Sequence, residues 1–314
     1  MSRNLLLIVW VVILASACAT SSRSDSYNDT VPTTSAEVDI PAGLAPDSLS
    51  RLPQTEEGGF VLAPGYYETE LKTYCLQPGT PDPSSRDAYL QAPLNGYRKD
   101  IVQTILYGSR SRPDINQRNV QLLLWCVVSG SDFNKLPGGV QSDARQLLTS
   151  KQIFELKGGV MGLVKTVSSN LPGGHGDVRR LFELGTSSYE AVERIAVLRE
   201  PSRLRRADFK NDQWYKQQEG YYIRYFPISY QKVKVQVYVP DGVVDSTGKA
   251  GAEYVVFNPT GLQVIPANSN SQRLGIGGPV FDIVRKVIRI NKSRNLPKPL
   301  PGKPKETKDP KSAT

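Results

Sequence analysis

Between Lys232 and Val239 the chain alternates strictly, with Val233, Val235, Val237 and Val239 set between Lys234, Gln236 and Tyr238. A period of two puts the valines on one face of a strand and the polar side chains on the other, so this strand is buried on one side only. Residues 221–227 are aromatic and β-prone, and residues 254–257, 262–265 and 273–276 predict three more short strands. Asn258-Pro259-Thr260-Gly261 supplies a turn between two of them. Four or five antiparallel strands make a small sheet, which needs cover from another element. The stretch from Pro279 predicts that cover. Proline suits a first helical turn, and Val280, Ile283, Val284, Val287 and Ile288 form one apolar stripe, with Arg285, Lys286, Arg289 and Lys292 off it. Such a helix packs on the sheet in one reading and lies on an anionic membrane in the other.

Upstream the period is helical. Ile101, Val102, Ile105 and Leu106 fall at helical spacing over residues 98–106. Pro113-Asp114 introduces a second helix, with Asp114 and Gln117 in capping-box register. Its apolar residues Val120, Leu123, Leu124 and Val127 have so many apolar neighbours that it reads as central and buried on most sides. Shorter helices are predicted over 142–148, over 151–156 (closed by Gly158-Gly159) and over 189–198 (stopped by Pro201). The run Gln77-Pro78-Gly79-Thr80-Pro81-Asp82-Pro83 excludes a helix. Leu136-Pro137-Gly138-Gly139 recurs as Leu171-Pro172-Gly173-Gly174, each followed by an Asp, an Arg and a Leu. Two copies fall short of a repeat array. They read as one way of entering a helix from a tight turn, with a duplicated helical hairpin as the alternative.

These patterns predict an α+β protein: an N-terminal α-helical domain over 59–205, then a small antiparallel β domain with its covering helix over 206–292. Residues 18–58 are rich in Ser, Thr, Asp and Pro and poor in large apolar side chains, which predicts a flexible tether. Residues 293–314 read as a disordered, basic Pro/Lys-rich tail. That leaves 1–17, where Arg3 precedes an unbroken apolar run from Leu5 to Leu14 and then Ala15-Ser16-Ala17-Cys18. Ten apolar residues are half of what a membrane span needs, so the segment reads as a cleaved signal peptide. Small residues followed by cysteine resemble the lipobox of bacterial lipoproteins, although Ala15 stands where that pattern usually has leucine. The resemblance covers residues 1–18 only. It implies export, acylation of Cys18 and anchorage to a membrane. By similarity to enterobacterial lipoproteins, Ala19 after the cysteine implies sorting to an outer membrane.

The net charge of +9 changes meaning once it is located. Ten basic residues from Arg285 onward, Lys298, Lys303, Lys305, Lys308 and Lys311 among them, face only Glu306 and Asp309. The rest of the chain is nearly neutral, which gives a folded body little electrostatic basis for nucleic-acid binding. The five tail lysines are instead candidate contacts for an anionic partner: lipid head groups, an acidic glycan or an acidic protein. Besides Cys18 there are two cysteines, Cys75 and Cys126. In an oxidising compartment the pair reads as a disulfide; the alternative is that Cys126 is a small buried hydrophobe.

Chemistry is sparse. The single histidine, His175, lies in Gly173-Gly174-His175-Gly176-Asp177, with no Gly-x-Ser-x-Gly elbow to accompany it and no Gly-Lys-Ser/Thr of a phosphate loop. Two cysteines and one histidine do not make a structural zinc site, and no cofactor motif is found. Arg199, Arg203, Arg205, Arg206 and Lys210 form a basic knot, interleaved with Glu200 and Asp208, that reads as a salt-bridged linker or as an anion site. Trp214, Tyr215, Tyr221, Tyr222 and Tyr225 are core aromatics in one reading and a sugar-stacking platform in the other. The expectation is a non-enzymatic, lipid-anchored envelope protein with a structural or adaptor role toward an envelope protein partner. A glycan- or peptidoglycan-binding module is the first alternative and an envelope-acting hydrolase the second.

Overall fold

A computed structural model describes residues 34–36, 38, 40, 44–96, 98–158, 174–186, 188–206, 208–242 and 254–280. In chain order the elements are β1 (Thr34–Ala36), β2 (Asp47–Ser48), β3 (Phe60–Leu62), β4 (Gly65–Cys75), β5 (Thr80–Pro81) and β6 (Tyr89–Ala92). Six helices follow: α1 (Lys99–Ser111), α2 (Gln117–Ser129), α3 (Gly138–Leu147), α4 (Ser150–Leu156), α5 (His175–Glu183) and α6 (Tyr189–Ala196). The chain then returns to strands: β7 (Val197–Leu198), β8 (Trp214–Lys216), β9 (Tyr222–Ser229), β10 (Lys232–Val239), β11 (Val255–Phe257), β12 (Gln263–Pro266) and β13 (Leu274–Pro279).

The expected division into a helical domain and a later β domain does not hold. Strands β9, β10, β4, β13, β12 and β6 pair antiparallel in that order, and Tyr89 of β6 meets Tyr225 of β9 to close them into a six-stranded barrel. Two barrel strands, β4 and β6, come from the part of the chain expected to be helical, and the six helices are inserted between β6 and β9. The folded body also begins before residue 59, since Leu49 and Leu52 are core residues.

The valine alternation of β10 is the barrel's inner face. Val233, Val235 and Val237 pair with Leu71, Thr69 and Tyr67 of β4 on one side and with Pro227, Tyr225 and Ile223 of β9 on the other. Lys232, Lys234 and Gln236 alternate with these, and the Lys232 ammonium meets Glu70 at 3.1 Å while Gln236 donates to Glu68 at 3.0 Å. Two buried tyrosine hydroxyls of the barrel strands are partnered. Tyr225 donates to Gln91 at 2.5 Å, and the Tyr89 hydroxyl donates to the Gln272 carbonyl at 2.8 Å.

Sequence fits the helices to the barrel at two places. Along β13 the inward residues Leu274 and Ile276 alternate with Gly275 and Gly277, whose missing side chains leave room for α1. A Cβ on Gly275 would lie 3.0 Å from Leu106, one on Gly277 would lie 2.8 Å from the Tyr74 ring and 3.0 Å from Ser109, and one on Gly278 would lie 2.9 Å from Arg110. The second place is α2. As its apolar run predicts, α2 is buried from Leu122 to Val127. Its one buried polar interior residue, Gln121, accepts from the Cys75 N–H at 2.8 Å and donates to the Cys75 carbonyl at 3.0 Å. A strand neighbour would make the same two bonds. The β9–β10 turn completes the junction: Tyr230 packs against Trp125 and donates to Glu193 of α6 at 2.5 Å.

Two expectations about helix starts are adjusted. The N-cap of α2 is Asn116, which accepts from the Arg118 N–H at 2.8 Å, while Asp114 pairs with Arg112. The two Leu-Pro-Gly-Gly runs lead into α3 and α5, with Pro137 and Gly174 at the two N-cap positions; residues 171–173 of the second copy lie outside the described residues. Also outside them are 281–292, expected to form the covering helix, and 293–314, expected to be the tail. Among the described residues no helix is long and apolar enough to cross a membrane.

The glycine face of β13 makes a direct prediction. Gly277→Val overpacks the α1 contact and lowers unfolding free energy by about 1–3 kcal/mol. Gly138→Ala, where a methyl meets open space, leaves it within about 1 kcal/mol. Chemical denaturation of the two variants beside the parent chain checks both.

Candidate anion-binding groove

The basic knot at 199–210 divides in space. Arg199 is neutralised, its two terminal nitrogens each 3.1 Å from a carboxylate oxygen, one of Asp82 and one of Glu193. Burial holds the Asp82 carboxyl above the usual carboxylate range, and the Tyr230 N–H and Arg199 work against that. This pair of acids fastens α6 to the barrel. Arg205, Arg206 and Lys210 go elsewhere. With Arg86 they surround a hollow of about 660 Å³, also lined by Ser85, Leu204, Phe209, Asn211, Asp212 and Asn268.

Three segments far apart in sequence build the walls, and one buried side chain fastens them. Asn268, following β12, accepts from the Ala88 N–H at 2.9 Å and donates to the carbonyls of Arg86 at 3.0 Å and Phe209 at 3.2 Å. Its own carbonyl accepts from the Arg205 N–H at 2.6 Å. Asn211 adds a bond to the Ser85 carbonyl. Beneath this frame Ala88, Leu90, Ala92, Tyr215, Ile265 and Ala267 form a small apolar core of their own, against which Phe209 packs. The Phe209 ring stacks on Tyr215 with centroids 6.4 Å apart, and the Arg206 guanidinium sits 5.1 Å from its centre.

Charge in the groove is uneven. Arg206 lies 3.7 Å from Asp208. Among the described residues Arg86, Arg205 and Lys210 form no ion pair, and all three are exposed. A concave surface lined by cations concentrates anions, and guanidinium forks suit carboxylates and phosphates.

The other predicted site residues are placed as follows. Cys18, Lys298, Lys303, Lys305, Lys308 and Lys311 lie outside the described residues. Cys75 and Cys126 are both buried free thiols, so the expected disulfide is not formed. The Cys126 sulfur lies 3.6 Å from the Ser131 carbonyl oxygen, and Cys75 ends β4. Burial pushes each thiol up to about 12, which keeps both protonated and poorly nucleophilic at neutral pH. His175 begins α5 and is 9% exposed, and its Nδ1 has no partner among the described residues.

The aromatic run is packed, not displayed. Trp214, Tyr215, Tyr221 and Tyr225 are buried and Tyr222 is half-buried. Trp214 is covered by Arg224, whose guanidinium lies 4.2 Å from the ring centre. Among the described residues no three His, Cys, Asp or Glu side chains converge as a metal site would require.

Sequence reasoning found Arg205, Arg206 and Lys210 but missed Arg86, Phe209, Asn211 and Asn268. The run Asn268-Ser269-Asn270-Ser271 carried a signal, because asparagines and serines that bond neighbouring backbone favour fixed loops. Nothing local linked that loop to the arginines. The chain matches no family model, no curated protein and no solved structure.

His175 yields a pH prediction. Burial lowers its pKa from the ordinary value near 6.5. The unfolded chain therefore binds a proton that the folded chain resists, and stability present above that pH is lost as pH falls below it. It is the only histidine in the chain, so the part of the slope in unfolding free energy between pH 7.5 and 5.5 that disappears with its imidazole belongs to its side chain. Urea denaturation across that interval should show the loss, and His175→Gln should flatten it.

Proposed function

We propose that this chain is an exported, lipid-anchored envelope protein that works by binding, with an adaptor role. In this reading the acylated Cys18 holds the N-terminus at a membrane. The folded body presents the groove to an anionic partner, and the tail lysines add long-range attraction. The observation that carries the reading is the groove itself: three cations without ion pairs among the described residues, on walls fixed by a buried asparagine, beside an aromatic ring. A backbone frame already fixed by hydrogen bonds lowers the loop-ordering part of the cost of binding.

Binding is preferred to catalysis because of where the candidate reactive groups lie. Both thiols are protonated and enclosed, and the lone imidazole is buried at the start of a helix. Stacking of neutral sugar on Trp214 or Tyr221 finds no open ring face.

The reading is tested in intact cells with a photo-crosslinking residue in place of Ser85 or Asn211. One defined adduct is expected at both positions, lost when Arg86 and Arg205 are both changed to Gln. Cys18→Ser should release the protein from membranes and remove the lipid mass from its N-terminal peptide. An adduct that survives the double change, or a mature N-terminus without lipid, contradicts the reading.

A further inference from the structure

The wall of the groove that carries Leu204 is a strand edge. Leu204 bridges Ser269 antiparallel, flanked by the Arg205 N–H to the Asn268 carbonyl at 2.6 Å and the Asn270 N–H to the Arg203 carbonyl at 3.3 Å. In an antiparallel ladder, residues at such a position turn their own N–H and C=O away from the partner strand. Those two groups of Leu204 have no partner among the described residues, and its side chain is 52% exposed. An open edge, an exposed leucine beside Phe209, and arginines on the same short stretch occur together.

We propose that the groove takes an extended acidic peptide segment of a protein partner. The segment adds as a short strand to the Leu204 edge, with carboxylates on Arg86, Arg205 and Lys210 and one apolar side chain against Leu204 and Phe209. This rests on the groove being the binding site and adds the class of ligand. Each feature selects against another anion. The backbone pair of Leu204 is satisfied by a peptide and not by a phosphate or a sugar. Asp212 in the wall repels a dense polyanion but tolerates spaced carboxylates. The apolar side chains offer contact that a uniformly charged polymer does not use. Strand addition gives affinity through the backbone, and the alternating side chains of the added strand give specificity.

The test uses the full chain and a fluorescent acidic pentapeptide in which glutamates flank a central leucine, followed by anisotropy. Two further versions carry backbone N-methyl groups on the odd or on the even residues, and inorganic polyphosphate is the competing probe. The proposal expects saturable binding that weakens about tenfold or more in the Arg86→Gln/Arg205→Gln variant. One of the two methylated peptides should fail in the same degree while the other binds, and polyphosphate should compete poorly. If the arginine changes weaken binding but neither methylation matters, or if polyphosphate displaces the peptide readily, the groove remains an anion site and the strand-adding peptide is wrong. If the arginine changes affect neither probe, the groove is not the binding site and both readings fall.

Discussion

The structure depends on how closely α1 can lie against the barrel, and Gly275 and Gly277 of β13 decide that. Because Leu274 and Ile276 point inward, the intervening positions must face the helix, and only the absence of side chains there brings Leu106 and Ser109 onto the strand. With α1 seated, α2 lies over β4, where Gln121 bonds the Cys75 backbone. The β9–β10 turn then reaches Trp125 through Tyr230, and Glu193 receives the Tyr230 hydroxyl. Helices and barrel thus share one main hydrophobic core, in which Leu106, Leu124, Val178 and Val192 from the helices join Leu71, Val233, Val264 and Leu274 from the barrel.

Much of the local structure was legible in the chain, and the topology was not. The periods of α1, α2, α6, β9, β10, β12 and β13 stand out, because one face of each is nearly all apolar. β4 escaped notice because its inward face alternates Tyr67, Leu71 and Cys75 with Thr69 and Thr73. The threonines dilute the apolar signal, although Thr73 is fully buried and donates to the Tyr230 carbonyl at 3.0 Å. β6 is four residues, all buried, too short to show any period. With those two strands unseen, the later strands look like an open sheet, and a sheet in need of cover suggests a separate domain. Pairing across nearly 200 residues of chain, as between Cys75 and Leu274, leaves no mark on local pattern.

The groove shows the same division. Its cations form a visible run, but what makes them a site is Asn268, which meets Ala88 and Arg86 only because β6 and β12 are neighbours in the closed barrel. The cysteines are read from their presumed compartment and not from pattern, and in the fold both are buried free thiols, Cys126 inside α2 with its sulfur 3.6 Å from the Ser131 carbonyl and Cys75 at the end of β4. The buried position of the aromatics follows from the barrel as well, since Tyr225 pairs across the closing seam.

Barrel closure is therefore the central claim, because it both unites the two halves of the chain and assembles the groove. Native-state hydrogen exchange of the full chain tests it most directly. Amides of Leu123–Val127 in α2, of Val233, Val235 and Val237 in β10, and of the frame around Ala88 and Arg205 should reach exchange through a single global opening, with one common free energy and one denaturant dependence. If α2 stays protected under conditions in which the β10 amides exchange freely, the helices fold as a unit of their own and the account is contradicted.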